Sequence, residues 1–295
     1  MTEIERLRHN PLIDPALHIW GWQIAIYLFL GGLAAGVMVL AGLSTTRESR
    51  AARLFIFIAP IALSLGMFAL FLDLENKLHV FRFYTAFRVT SPMSWGSWIL
   101  LLIYPATILF GLAQCETAGR FVRLLAWARG HERQLRRINI ALGIALGAYT
   151  GVLLGTLTAR AAWSSLFLAP LFLASGISAA AAMAMLLPVS ETDRDAFRRW
   201  DLIAIGVEAV VLAFFFLDLV SAGAGRGRAA ASLFFGGPYT SVFWSLVVIG
   251  GLAVPLTLEL FERSRRMHAA VAPLLVLAGG LALRWIFVLA GQASI

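Results

Sequence analysis

Apolar residues fill this chain in blocks of about twenty, and polar residues are pushed into the seams between them. Eight such runs are visible: Gly21–Leu43, Phe55–Leu74, Trp95–Ala113, Ile138–Thr158, Leu166–Leu187, Asp201–Ser221, Tyr239–Phe261 and Val271–Gly291. A hydrocarbon core of about 30 Å needs about 20 apolar residues in one helix, so each run predicts a membrane-spanning helix. Strand-like alternation is absent, which argues against a membrane barrel. No short apolar core with a small-residue cleavage site opens the chain, so the first span is expected to be retained. The pattern predicts an all-α integral membrane protein of eight transmembrane helices with little mass outside the bilayer.

The blocks also echo one another. FLGGLAAGVM at Phe29–Met38 returns as FLASGISAAAAM at Phe172–Met183, and FLDL closes both the second and the sixth run, at Phe71–Leu74 and Phe216–Leu219. GIALG at Gly143 resembles GLALR at Gly280. An offset of four spans preserves orientation. It therefore predicts two four-helix bundles, residues 1–158 and 159–295, related by an axis along the membrane normal. Small-residue helix packing alone is the plainer source of such likenesses.

Composition agrees with the class: 60% hydrophobic and 14% charged residues, against about 25% charged in soluble domains. The net charge of +8 raises nucleic acid as a partner, but no basic module stands outside the spans, and nucleic-acid binding is not expected. The basic residues sort by loop instead. Arg6, Arg8, Lys77, Arg82, Arg88, Arg160, Arg226 and Arg228 fall on the side of the two termini. Arg47, Arg50, Arg53, Arg120, Arg123, Arg129, Arg133, Arg136, Arg137, Arg194, Arg198, Arg199, Arg263, Arg265 and Arg266 fall on the other. The positive-inside rule makes the second side cytoplasmic and both termini periplasmic, in a bacterial inner membrane. The excess Arg also predicts contact with anionic membrane lipid.

Polar chemistry gathers at one boundary. From Asp73 to Trp98 an apolar span ends on a carboxylate, passes through a charged aromatic segment containing Glu75, and turns at Ser91-Pro92-Met93 into Trp95. A helix that only crosses lipid needs none of this. Ionisable groups inside spans are costly and are functional candidates by default. Asp73 and Asp218 sit near the periplasmic ends of their spans, Glu208 about two turns in from the cytoplasmic side, and Arg284 in the outer half of the last span. Asp218 and Arg284 lie at similar depth, so a packed ion pair is the plainer reading for them. Glu208 has no evident partner in the sequence, which makes it a candidate for proton relay. Glu259 is expected to be solvated near the cytoplasmic boundary.

All five histidines, His9, His18, His79, His131 and His268, fall in end or loop segments, so intramembrane haem is not expected. The single Cys115 cannot hold an iron–sulfur cluster of its own, and no metal site is expected. Redox work would need a diffusible carrier and a partner subunit. Asp14-Pro15 reads as a helix N-cap with proline behind it. His18 then lies one turn along, level with Trp20 and Trp22 in an interfacial aromatic belt. Such a His and Asp could bond a lipid-soluble ring, or be an ordinary interfacial His and cap. Tyr149, in AYTGVLLG, offers a phenolic donor among small residues.

HIWGWQIAIYLFLGGLAAG, DL followed by SPMSWGSW, AYTGVLLG, the Arg160–Trp163 turn, and LR with a terminal AGQ together resemble the NrfD/PsrC family of polysulfide-reductase-type membrane subunits. The resemblance covers essentially the whole chain. It implies an eight-helix, haem-free subunit that binds menaquinone or ubiquinone. It further implies an iron–sulfur electron-transfer subunit and a molybdopterin catalytic subunit as partners. In that family a histidine at the start of the first span, a polar residue one turn earlier and a tyrosine of the fourth span hold the quinone. Here His18, Asp14 and Tyr149 match them, with Asp14 where an amide is expected. The expected function is quinol oxidation, or quinone reduction, by a subunit that is not catalytic alone. Proton transfer is assigned to Asp73, Glu75, Glu208, Asp218 and Arg284, and partner docking to Ser91, Pro92, Met93, Trp95 and Arg160. The alternative is a proton-conducting subunit, with Glu208, Asp218 and Arg284 as its relay.

Overall fold

The computed structural model describes residues 20–44, 48–74, 77, 92–114, 122–157, 160–221, 225–261 and 270–294. Among them every regular element is helical, and eight helices are long and apolar enough to cross a bilayer. The spans are α1 (Trp22–Leu43), α2 (Arg50–Asp73), α3 (Pro92–Ala113), α5 (Glu132–Gly155), α6 (Leu168–Met185), α7 (Glu191–Ser221), α9 (Thr240–Phe261) and α10 (Val271–Ala293). Two shorter helices, α4 (Val122–Gly130) and α8 (Arg226–Ser232), lie between spans. The outer faces are apolar. On α2, Ile61, Leu65, Phe68 and Leu72 form an exposed stripe at helical spacing, a surface that lipid solvates and water would not. The protein is a multi-pass membrane protein with the eight helices expected.

Hydropathy located the spans but not all of their ends. α7 begins at Glu191 and α5 at Glu132, well ahead of the expected Asp201 and Ile138. Backbone hydrogen bonding continues a helix past the lipid boundary, where apolar composition stops. At about 1.5 Å per residue, α7 is longer than the hydrocarbon core is thick. Its polar first turns are fastened by Asp193, which is fully buried. The Asp193 carboxylate accepts from the Ser49 backbone N–H at 2.9 Å, the Ser49 hydroxyl at 2.7 Å and the Ser190 hydroxyl at 2.8 Å. Ser49 in turn caps α2 by accepting from the Ala52 N–H. One carboxylate thus ties the start of α7 to the start of α2.

α1 is the hub and packs against α2, α5, α6 and α10. α6 is its counterpart and packs against α7, α10, α1 and α5. The remaining main pairs are α3 with α5 and α9 with α10. Exchanging each span for the one four later maps this pattern onto itself, which is compatible with two four-helix units meeting along α1 and α6. The echoing motifs of the two helices meet at that crossing. A Cβ on Gly176 would stand 2.5 Å from the Gly32 carbonyl oxygen, and one on Gly36 would overlap the Gly176 carbonyl. In lipid, where apolar burial does not drive helices together, such close backbone packing carries association.

One buried amide fixes α5 within the first four spans. Asn139 is fully buried; its Nδ2 donates to the Met38 carbonyl of α1 at 3.0 Å and its Oδ1 accepts from the Thr107 hydroxyl of α3 at 3.1 Å. An unpartnered amide in hydrocarbon is costly, so this bridge locks the register of α5 against both neighbours. Tyr149 lies further along the same helix, under the same restraint.

Candidate functional site

A cavity of about 550 Å³ lies among the first four spans, at the end of the bundle where α2 finishes and α3 begins. Trp20, Ile24, Tyr27 and Leu28 form one wall. Ser64, Met67, Phe68, Phe71 and Asp73 come from α2, Gly96, Ser97 and Leu100 from α3, and Tyr149, Leu153 and Leu154 from α5. The lining is mostly apolar, and its side chains that carry a polar group are Trp20, Tyr27, Ser64, Asp73, Ser97 and Tyr149. Phe68 and Phe71 line the cavity and are also exposed on the outer face of α2. The cavity therefore opens sideways towards lipid. Such volume and lining suit a ligand with an apolar body and a small polar head.

Tyr149 reaches the cavity because Gly96 leaves room for it. A Cβ at position 96 would overlap the Tyr149 hydroxyl oxygen and its Cζ, which no real side chain can do. The Tyr149 side chain is buried, and its hydroxyl has no hydrogen-bond partner among the described residues. A phenol donor without a protein acceptor, at the wall of a cavity, is placed to bond whatever enters. Two further hydroxyls shape the same region. Ser97 donates to the Ser94 carbonyl at 2.8 Å in the first turn of α3, and Ser64 pairs with the Tyr104 hydroxyl at 2.9 Å across α2 and α3.

Of the residues singled out in the sequence, the structure brings Asp73 and Tyr149 into this one cavity. Trp95 stands exposed on the first turns of α3. Arg160 is half-buried and its guanidinium donates to the Gln292 carbonyl at the end of α10. Asp14, His18, Glu75 and Ser91 lie outside the described residues, and Pro92 and Met93 are described only as the start of α3.

The remaining ionisable residues belong to a second cluster, in the last four spans. Glu208 of α7 and Arg284 of α10 are both buried, and they feel each other's charge. Glu208, for which the sequence shows no partner, lies near the Ser175 hydroxyl of α6 and within electrostatic reach of the Arg284 guanidinium, without a direct ion pair. Arg284 also donates to the Phe172 carbonyl at 2.8 Å and lies 4.1 Å from the Phe172 ring centroid. Asp218, expected as the partner of Arg284, is half-buried near the far end of α7, while the Arg284 guanidinium is held at Phe172. Two turns nearer the start of α7, Asp201 is fully buried and accepts from the Ser178 hydroxyl at 2.6 Å. Beside Asp201 lies Glu259. Its expected solvation is wrong: Glu259 is only 4% exposed. Composition near a span end reports depth, and α9 turns this side chain inward, towards α7.

Sequence reading missed Ser64, Ser97, Ser175, Ser178 and Asp201 as site residues. The serines carry no signal, because serine is common at helix crossings in membranes. Asp201 had one, since a carboxylate at the head of an apolar run is costly unless partnered.

Comparison with known proteins places these sites in context. The family model described as "Polysulphide reductase, NrfD" matches residues 10–295. The sequence is 28% identical to a polysulfide reductase chain of Wolinella succinogenes, over 94% of this protein and 95% of that one. It is 29% identical to protein NrfD of Escherichia coli, over 94% and 96%. It is 25% identical to a putative dimethyl sulfoxide reductase membrane subunit of Halobacterium salinarum, over 88% of this protein and 65% of that one.

Proposed function

This chain belongs to the NrfD polysulphide reductase family, and on that premise we propose that it is the quinone-reacting membrane subunit of a respiratory oxidoreductase complex. The observation that carries this reading is the cavity of about 550 Å³ with Tyr149 and Asp73 at its wall and a lipid-side opening at Phe68 and Phe71. A quinone fits these residues. Its ring needs flat apolar walls, its oxygens need one or two donors, and its isoprenoid tail needs an exit into lipid. Menaquinone and ubiquinone share those needs.

When bound, the quinone supplies two-electron, two-proton chemistry. Tyr149 donates its hydroxyl hydrogen bond to a ring oxygen and so orients the headgroup. His18, two residues before the cavity-lining Trp20, holds the other oxygen and exchanges protons, with Asp14 one turn earlier as its polar neighbour. Asp73 accepts protons at the mouth and Glu75 passes them towards water. Electrons cross to an iron–sulfur subunit docked on the periplasmic face over Ser91, Pro92, Met93, Trp95 and Arg160. A molybdopterin subunit then completes the turnover. The chain lies in the bacterial inner membrane with both termini periplasmic, and the quinol is oxidised or the quinone reduced according to the partner's substrate. The named relatives, a polysulfide reductase chain and a putative dimethyl sulfoxide reductase membrane subunit, support this assembly.

The test is quinol-linked turnover of the purified complex together with quinone-site inhibitor binding. His18→Ala and Tyr149→Phe are expected to weaken both. Unchanged values in both variants would overturn the site assignment.

A second reading, proton conduction through the last four spans, is favoured by the buried series Glu259, Asp201, Glu208 and Arg284, continued by Asp218. Protons moved per quinol in vesicles decide it. A value no greater than the scalar chemistry of the quinone would leave the cluster a packing feature.

A further inference from the structure

Trp20 precedes the first turn of α1 and forms part of the cavity wall. Its backbone groups therefore lack partners within the helix. Both are taken up by one side chain from the other end of the chain. The Trp20 N–H donates to Gln292 Oε1 at 2.8 Å, and Gln292 Nε2 donates to the Trp20 carbonyl at 3.0 Å. The amide thus acts on Trp20 as a neighbouring strand would, with one donor and one acceptor at fixed spacing. Gln292 Nε2 also lies 3.2 Å from the Val288 carbonyl, one turn back in α10, which restricts the rotamer that presents the amide.

The indole is held from a second side. Trp20 stacks on Trp163 with ring centroids 5.1 Å apart and planes 23° from parallel. Trp163 is anchored to the same end of α10 by donation from its Nε1 to the Phe287 carbonyl at 2.9 Å. Arg160 donates to the Gln292 carbonyl, Ala161 N–H to the Ser294 carbonyl at 3.2 Å and Ala162 N–H to the Ser294 hydroxyl at 3.1 Å. The last turn of α10 and the turn after α5 form one platform, and Trp20 is set on it both by backbone and by ring. A span of the second half thereby fixes a wall of the cavity in the first.

We propose that Gln292 is the positioning residue of the quinone cavity: its amide fixes Trp20 against Trp163 so that the cavity keeps a rigid aromatic wall for the flat ring. The proposal rests on the quinone reading of the cavity. A group that only preorganises a binding wall contributes equally to bound substrate and transition state, so its loss raises KM and spares kcat. Two neutral hydrogen bonds lost together correspond to about tenfold in affinity.

The test compares wild type, Gln292→Ala and Gln292→Glu in the purified complex. The readouts are steady-state kinetics with a short-chain quinol and binding of a hydroxyquinoline N-oxide inhibitor, followed by tryptophan fluorescence. Gln292→Ala is expected to raise KM and inhibitor Kd together by about tenfold, with kcat within about twofold. Gln292→Glu keeps the acceptor for the Trp20 N–H but sets a carboxylate oxygen against the Trp20 and Val288 carbonyls, so its shift is expected in the same direction and at least as large. It also provides the reading if the alanine variant does not assemble. Unchanged KM and Kd in the assembled variants, or a fall in kcat alone, would overturn the positioning role. If wild-type complex binds no such inhibitor and oxidises no quinol, the quinone reading itself fails, which the variants do not affect.

Discussion

Tyr149 lies so closely over Gly96 that a single methyl at position 96 would overlap its hydroxyl oxygen and Cζ. The two residues stand 53 positions apart, on α5 and α3. Their contact explains why the SPMSWG segment ends on glycine. It also places the glycine of that motif in the cavity wall.

Gly96→Ala should therefore move Tyr149 out of its seat while leaving the helices assembled. Because overpacking in a tight site costs about 1–3 kcal/mol, quinol affinity is expected to fall by about tenfold or more. The measurement is inhibitor Kd beside the thermal midpoint of the complex. Loss of binding with an unshifted midpoint marks displacement of the tyrosine; retained binding would show that the ring finds another seat.

Arg284 and Glu208 are expected to depend on each other. Both are buried and within electrostatic reach of each other, and stranding one buried charge by removing the other costs up to about 3–5 kcal/mol, the figure for a contacting pair. Arg284→Ala should destabilise the protein in detergent, and Arg284→Ala combined with Glu208→Ala should recover part of the loss. A double-mutant cycle of unfolding midpoints reads the coupling. Strictly additive effects would mean that the Phe172 carbonyl and ring, and not Glu208, hold the guanidinium.

At the crossing of α1 and α6, Gly176→Val is expected to be among the most damaging apolar substitutions in the chain. The Gly32 carbonyl stands where the new side chain must go, and backbone cannot yield as a flexible side chain can. Expression level and detergent stability should both fall. Ala174→Val on the same helix tests whether added bulk on α6 away from that carbonyl is tolerated better. Equal effects of the two would remove the special role given to the crossing.

The class of protein and the number of spans were legible in the sequence because hydropathy is a local property, and a bilayer reads it residue by residue. The echo between Phe29–Met38 and Phe172–Met183 was legible too, and the structure adds that the two motifs pack on each other. Asp73 and Tyr149 were picked from residue type and depth, and both line the cavity. Asp193 carries no signal in the sequence that sets it apart, yet it is fully buried and clamps two helix starts.

Partnerships were decided only by the fold. Arg284 could be paired with Asp218 by depth, but rotation about the helix axis sets its guanidinium on the Phe172 carbonyl and ring instead. Glu259 looked solvated by position and is buried by the direction it faces. Gln292 meets Trp20 across 272 residues, a closure that no window along the chain contains. A sequence specifies depth in the membrane through composition. Which side chains touch at a given depth depends on helix rotation and crossing, which come from packing all the spans together.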